Sequence, residues 1–109
     1  MEPTTDSNSN PHHSVRALVD YIREKPTLLV GTPTIECLSS FLSGWFWANE
    51  DRISDPEVWD RFEKYIATRY KTDIETIKWD RAIRFYSLNS VEAFSHFFDL
   101  FTRALNVEG

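Results

Sequence analysis

The chain has few of the residues from which catalytic and metal sites are commonly built. It contains one cysteine and three glycines, and His96 is its only histidine beyond position 13. No glycine-rich phosphate loop, Cys-x-x-Cys pair, His-Glu-x-x-His or Gly-x-Ser-x-Gly occurs, so the common phosphate, zinc and acyl-transfer signatures are missing. We therefore expect a protein that is not an enzyme and binds no cofactor.

The lone Cys37 excludes an internal disulfide, and it lies in an apolar run. It is predicted to be a buried free thiol, which fits a reducing compartment. The start of the chain lacks the basic segment and apolar stretch of a secretory signal, and no apolar run reaches membrane-spanning length. These features predict a cytoplasmic location and no membrane partner.

Positive charge is in deficit. Twelve Lys and Arg stand against seventeen Asp and Glu, which gives a formal charge of −5. This charge opposes attraction to phosphate backbones, so no nucleic-acid partner is expected, and a basic protein partner is favoured.

Apolar residues are plentiful, at 41% with 15% aromatic, so the chain of 109 residues is expected to fold around one core. Residues 1–13 are rich in Ser, Asn, Thr and Pro and are predicted to form a disordered leader before a single helical domain at 14–109. Two adjacent histidines, His12 and His13, are too few ligands for a metal site, so no metal is expected.

Hydrophobic periodicity predicts an all-α fold, a compact bundle of four to five helices. The first helix follows Ser14 as N-cap. A joint then sets the direction of the chain: Pro26 ends the first helix, Gly31 allows a positive φ, and Pro33 suits the first turn of the second helix.

The second helix runs to about Ala48 and is apolar around much of its circumference. It is therefore predicted to be the central and most buried helix of the bundle. Ser40 and Gly44 are predicted to let a neighbouring backbone approach it closely.

Capping patterns locate the later helices. Ser54 to Glu57 combines a capping box with a proline, which predicts the start of a third helix, and Asn89 with Glu92 predicts the start of the last. The last helix carries the clearest core-facing stripe: Phe94, Phe97, Phe98, Phe101 and Leu105. Between the third and the last helix, Ile83–Leu88 fits either the end of another helix or a short strand, since its β-branched and aromatic residues are typical of strands.

Carboxylates are concentrated between residues 50 and 63. Asp55 and Glu57 suit the first turn of a helix, but four others form an acidic edge that capping does not explain: Glu50, Asp51, Asp60 and Glu63. Trp45 and Trp47 are two positions apart and cannot face the same way on a helix, so one should be partly exposed. An exposed tryptophan beside carboxylates is typical of an interaction anchor, although an indole at the edge of the core is the commoner arrangement. The predicted partner-binding residues are Trp47, Glu50, Asp51, Trp59, Asp60 and Glu63.

Three segments carry a family resemblance: the joint Lys25 to Gly31, the helix Thr34 to Trp45, and the closing stretch Glu92 to Phe101. Their order resembles a family of small bacterial helical immunity-type proteins from polymorphic toxin and contact-dependent inhibition systems. The chain differs from that pattern in lacking an aromatic residue before the glycine of the joint. The resemblance implies a protein that binds and neutralises a cognate toxin domain. The resemblance assigns no role to any residue, because the shared positions lie in the joint and in the core of the bundle.

The expected function is therefore that of a small cytoplasmic inhibitor that neutralises a basic toxin domain by occlusion and without catalysis. The alternative is a structural or adaptor module that acts through self-association as a homodimer.

Overall fold

The computed structural model describes residues 12–72 and 77–106, and within them the chain is helical and contains no strand. The all-α prediction is confirmed. Most of the predicted leader, residues 1–11, lies outside the described residues. The helices are α1 (Val15–Glu24), α2 (Pro26–Leu29), α3 (Ile35–Asn49), α4 (Pro56–Tyr70), α5 (Trp79–Phe85) and α6 (Ser90–Asn106).

The joint between α1 and α3 contains a helical turn, α2, that its sequence did not predict. Pro26 starts the single turn α2, because a residue without an N–H and with a fixed φ suits the first position of a helix. Gly31 has the expected positive φ of 89°. Pro33 lies before the N-cap of α3 and not in its first turn. That cap is Thr34, whose Oγ1 accepts a hydrogen bond of 3.3 Å from the backbone N–H of Cys37, a half-buried thiol and not the buried one predicted.

The buried carboxylate of Asp55 joins the starts of two helices. The predicted capping box is wrong: the N-cap of α4 is Asp55 and not Ser54, and the Asp55 side chain makes no capping hydrogen bond to α4. It accepts hydrogen bonds from the backbone N–H groups of Val15 and Arg16, at 2.6 and 3.1 Å, and from Ser14 Oγ at 3.0 Å. A carboxylate placed here satisfies unpaired N–H groups of α1 and lies close to the positive ends of both helices.

The most buried helix is α6, which packs against α3, α4 and α5. Its buried residues are Ala93, Phe94, Phe97, Phe98, Leu100, Phe101 and Ala104. The prediction that the second helix, α3, is the most buried is wrong, because α3 buries only Ile35, Leu38 and Leu42. A Cβ added at Gly44 would meet no atom within 4 Å, so no neighbouring backbone approaches α3 there. A helix that is apolar around most of its circumference stays partly exposed when it packs against fewer helices than α6 does.

The segment that fitted either a helix or a strand begins as a helix. Ile83 is buried within α5, which ends at Phe85, and the Ser87 hydroxyl donates a hydrogen bond of 2.7 Å to the Ile83 carbonyl. Phe85, Tyr86 and Leu88 are exposed, and the Tyr86 ring stacks on that of Tyr70 with centroids 4.6 Å apart. Their strand-like composition therefore does not lead to strand pairing.

Candidate functional site

An open cleft of about 810 Å³ lies between α3, α4 and the start of α5. Its aromatic lining consists of the half-buried rings of Phe46, Trp59 and Trp79 together with the exposed ring of Trp47. We call it the tryptophan cleft. Its polar lining consists of Ser39, Ser43, Glu50, Glu63, Lys78, Asp80 and Arg81.

Ring packing fixes the inner aromatic wall. The centroid of Trp59 lies 5.1 Å from that of Phe46, 4.9 Å from that of Phe62 and 5.3 Å from that of Trp79. The Trp59 and Trp79 planes are nearly perpendicular, at 89°, which is the favoured edge-to-face arrangement. Trp59, predicted as a partner-binding residue, therefore packs largely against the core and offers only part of its surface to the cleft.

Trp47 differs from the other tryptophans in exposure. Its side chain is 82% exposed, whereas Trp45, Trp59 and Trp79 are half-buried. Trp45 packs edge-to-face on Phe46 at 5.3 Å. The prediction that Trp45 and Trp47 face different surroundings is confirmed, and Trp47 is the exposed member of the pair.

Glu63 is the half-buried carboxylate of the cleft. Its pKa is raised, first by burial and then by the negative charge of Asp60. A hydrogen bond from the Trp59 side chain and the positive charge of Lys78 act in the opposite direction and are weaker. The environment of Glu63 therefore disfavours its charged form, and an additional cation nearby would stabilise that form.

The structure brings part of the predicted acidic edge together. Glu50 and Glu63 line the same cleft, and Asp60 acts on Glu63 from the same face of α4. Asp51 is exposed in the turn after α3 and does not line the cleft. Trp47, Trp59, Glu50 and Glu63 thus meet at one site, with Asp60 beside it and Asp51 outside it.

Sequence reasoning missed the α5 side of the cleft. Lys78, Trp79, Asp80 and Arg81 lie close to α3 through tertiary packing, and no spacing in the sequence relates them to Trp47. The stretch 64–84, which follows the acidic edge, carries six basic residues against three acidic ones, and Lys78 and Arg81 belong to it. In the structure they share a cleft with Glu50 and Glu63, so the two charge signs are not separated onto different faces there.

Ser87 and His96 are a hydroxyl and an imidazole in contact, the residue types of a nucleophile and its base. Ser87 Oγ lies 3.0 Å from His96 Nδ1, but its proton is directed to the Ile83 carbonyl at 2.7 Å. With the proton there, the hydroxyl is placed to accept from the imidazole N–H, which is not the arrangement of a base that takes a hydroxyl proton. Among the described residues, no three or more His, Cys, Asp or Glu side chains are grouped to hold a metal ion.

No helix within residues 12–72 and 77–106 is long and apolar enough to cross a membrane. Comparisons with protein-family models, curated proteins and solved structures find no match to this chain.

Proposed function

We propose that this chain is a cytoplasmic binding protein that neutralises a toxin by covering part of its surface, without chemistry of its own. One observation carries the proposal: Trp47, 82% exposed, lies at a cleft that also presents Glu50 and Glu63. Tryptophan is enriched at the energetic centres of protein interfaces, where it is enclosed by the partner.

The gain from covering Trp47 is large enough to anchor a complex. Enclosing an aromatic side chain of this size removes 150–250 Å² from water, worth roughly 4–6 kcal/mol before the costs of association. The exposed carboxylates Asp60, beside the cleft, and Asp51, in the turn after α3, add negative charge near this anchor. A basic partner surface is attracted and oriented by that charge. The resemblance to immunity-type proteins supplies the class of partner, a toxin domain.

The direct test uses whichever toxin domain the genes adjoining this one encode, and the absence of such a gene would count against the proposal. The two purified proteins should form a 1:1 complex in sedimentation, and complex formation should abolish the activity of the toxin. Trp47→Ala should weaken the complex about thirtyfold, as expected for a hot spot of 2 kcal/mol. Leu28→Ala, which truncates another exposed apolar side chain, on α2, is the matched control and should leave affinity unchanged. If the neighbouring toxin neither binds nor loses activity, the proposal is wrong.

A different surface favours the alternative of self-association. Four large apolar side chains are exposed within seven residues where α5 meets α6: Phe85, Tyr86, Leu88 and Val91, with Phe85 at 78% and Leu88 at 84%. We call these residues the α5–α6 corner. Exposed apolar patches of this kind often mark contact sites between proteins.

Sedimentation equilibrium at micromolar concentration should show a dimer that Leu88→Asp dissociates. A chain that is monomeric throughout contradicts the alternative.

A further inference from the structure

The walls of the tryptophan cleft differ in charge. The α3 and α4 walls contribute Glu50 and Glu63, and Asp60 acts on Glu63 from the same helix. The α5 wall contributes two cations, Lys78 and Arg81, together with Asp80. A cation entering between α3 and α4 therefore meets carboxylates on both sides.

The charge of Glu63 is only partly compensated within the chain. It is half-buried next to another carboxylate, and Lys78 contributes the weakest of the four influences on its ionisation. A partly buried carboxylate with a weak internal counter-ion has unused capacity to accept hydrogen bonds from a second cation. The exposed ring of Trp47, which lines the same cleft, provides a face on which such a cation can stack.

We propose that the tryptophan cleft binds an arginine side chain of the protein partner, with the guanidinium against Trp47 and hydrogen-bonded to Glu63 and Glu50. This inference rests on the proposed function, since it names the chemistry by which the partner is held. Arginine fits better than lysine because its guanidinium is planar, weakly hydrated and forked. It stacks on an indole while donating two parallel hydrogen bonds to a carboxylate.

The test uses N-acetyl-arginine N-methylamide as the probe and the indole N–H signals of ¹⁵N-labelled protein as the readout. At constant ionic strength, the probe should shift the signals of Trp47 and Trp59 with a dissociation constant on the order of millimolar. Trp45 does not line the cleft and serves as an internal control. The citrulline analogue has nearly the same shape but no charge and should produce no saturable shift.

Two variants with opposite effects separate specific binding from loss of structure. Glu63→Gln should weaken probe binding about tenfold, because a charged acceptor is replaced by a neutral one. Lys78→Gln should strengthen binding about threefold, because the internal competitor for Glu63 is removed. Glu57→Gln, an exposed carboxylate on α4 that does not line the cleft, is the matched control and should have no effect.

Several results would overturn the inference: no saturable shift at the cleft indoles up to about 100 mM probe, an equal response to citrulline, or an affinity indifferent to Glu63→Gln. If the toxin domain is neutralised but the arginine probe does not bind, the inference fails and the proposed function stands. If the probe binds as expected but no toxin is neutralised, the proposed function fails and the arginine site stands.

Discussion

At the scale of single residues, Asp55 illustrates how one side chain supports two elements. Asp55→Ala leaves the N–H groups of Val15 and Arg16 without their acceptor in a buried region. The variant should lower the free energy of unfolding by about 3 kcal/mol, because hydrogen bonds to a charged group are lost and buried donors remain unpaired. Urea denaturation measures this loss.

Glu57→Ala provides the comparison for Asp55, since it removes a carboxylate from the first turn of α4 at an exposed position. Its cost should stay below about 1 kcal/mol, the value of a surface charge near a helix end. Equal losses for the two variants would mean that the carboxylate of Asp55 acts only on the dipole of α4 and that its bonds to α1 contribute nothing.

Glu63 provides a prediction that depends on pH. Its pKa in the folded state is raised above the ordinary value of 4.5, so folding favours the protonated carboxyl. The stability that this group contributes is fully present below the unfolded pKa and is lost as pH rises through the folded pKa. Glu63→Gln, which does not ionise, should therefore be more stable than the wild type at pH 7.

The advantage of Glu63→Gln should disappear below about pH 4, where the glutamate is protonated in both folded and unfolded chains. Urea midpoints of the two proteins, measured from pH 7 downward, follow this difference directly. A glutamine variant that is less stable than the wild type at pH 7 would show that the Trp59 hydrogen bond and Lys78 outweigh burial and Asp60.

At the scale of helices, Phe97 in α6 is the strongest test of the core. It is fully buried, and its ring centroid lies 5.2 Å from Phe62, 5.4 Å from Trp79 and 5.7 Å from Phe101. Phe97→Ala should cost 3–5 kcal/mol, roughly the range for removing a buried phenylalanine ring and leaving a cavity. Ser95→Ala, on the exposed face of the same helix, should stay within about 0.5 kcal/mol. Denaturant midpoints that shift equally would contradict the packing of α6.

Local patterns predicted the elements well where the physical cause is local. Ser14 accepts a hydrogen bond from the Ala17 N–H at 3.1 Å, and Asn89 accepts one from the Glu92 N–H at 2.8 Å, so α1 and α6 begin at the predicted caps. The stripe of α6 was predicted correctly because its period of 3.6 residues is a property of the helix itself.

What the sequence did not predict depends on contacts between distant segments. The carboxylate of Asp55 bonds to α1, which lies 40 positions earlier, in place of its own helix. The low burial of α3 depends on how many helices surround it. The tryptophan cleft forms because Trp79 and Arg81 of α5 lie in the same concavity as Trp47 of α3. The hydrophobic periodicity of a single segment does not predict contacts between distant segments. Trp47 could be singled out, but its surroundings could not.

At the scale of the whole molecule, the two candidate surfaces are continuous. A second concavity of about 760 Å³ between α3 and α5 shares Ser39, Asp80 and Arg81 with the tryptophan cleft and extends to Phe85 of the α5–α6 corner. A partner seated on Trp47 can therefore extend along this groove toward Phe85. Self-association through the corner would then compete with partner binding, so the two proposed activities should exclude each other at high protein concentration.

The acidic edge should act on this interface through the rate of encounter. Asp51 and Asp60 are exposed, and charges at the rim of an interface steer association while contributing little to dissociation. Reversing both, as Asp51→Lys with Asp60→Lys, should lower the association rate for the proposed basic toxin domain about tenfold at low salt. The difference should shrink as salt approaches 1 M, where the screening length falls to about 3 Å.

The matched control reverses two exposed carboxylates elsewhere, Glu24→Lys in α1 with Asp99→Lys in α6. Both double variants change the net charge by the same amount, from −5 to −1. A difference between their association rates is therefore caused by the positions of the reversed charges. Surface-plasmon kinetics at two ionic strengths should show slower association for the Asp51 and Asp60 variant alone, with dissociation unchanged in both. If the control slows association equally, attraction depends on the overall charge of the molecule. If neither variant changes the rate, the toxin approaches a surface other than the acidic edge.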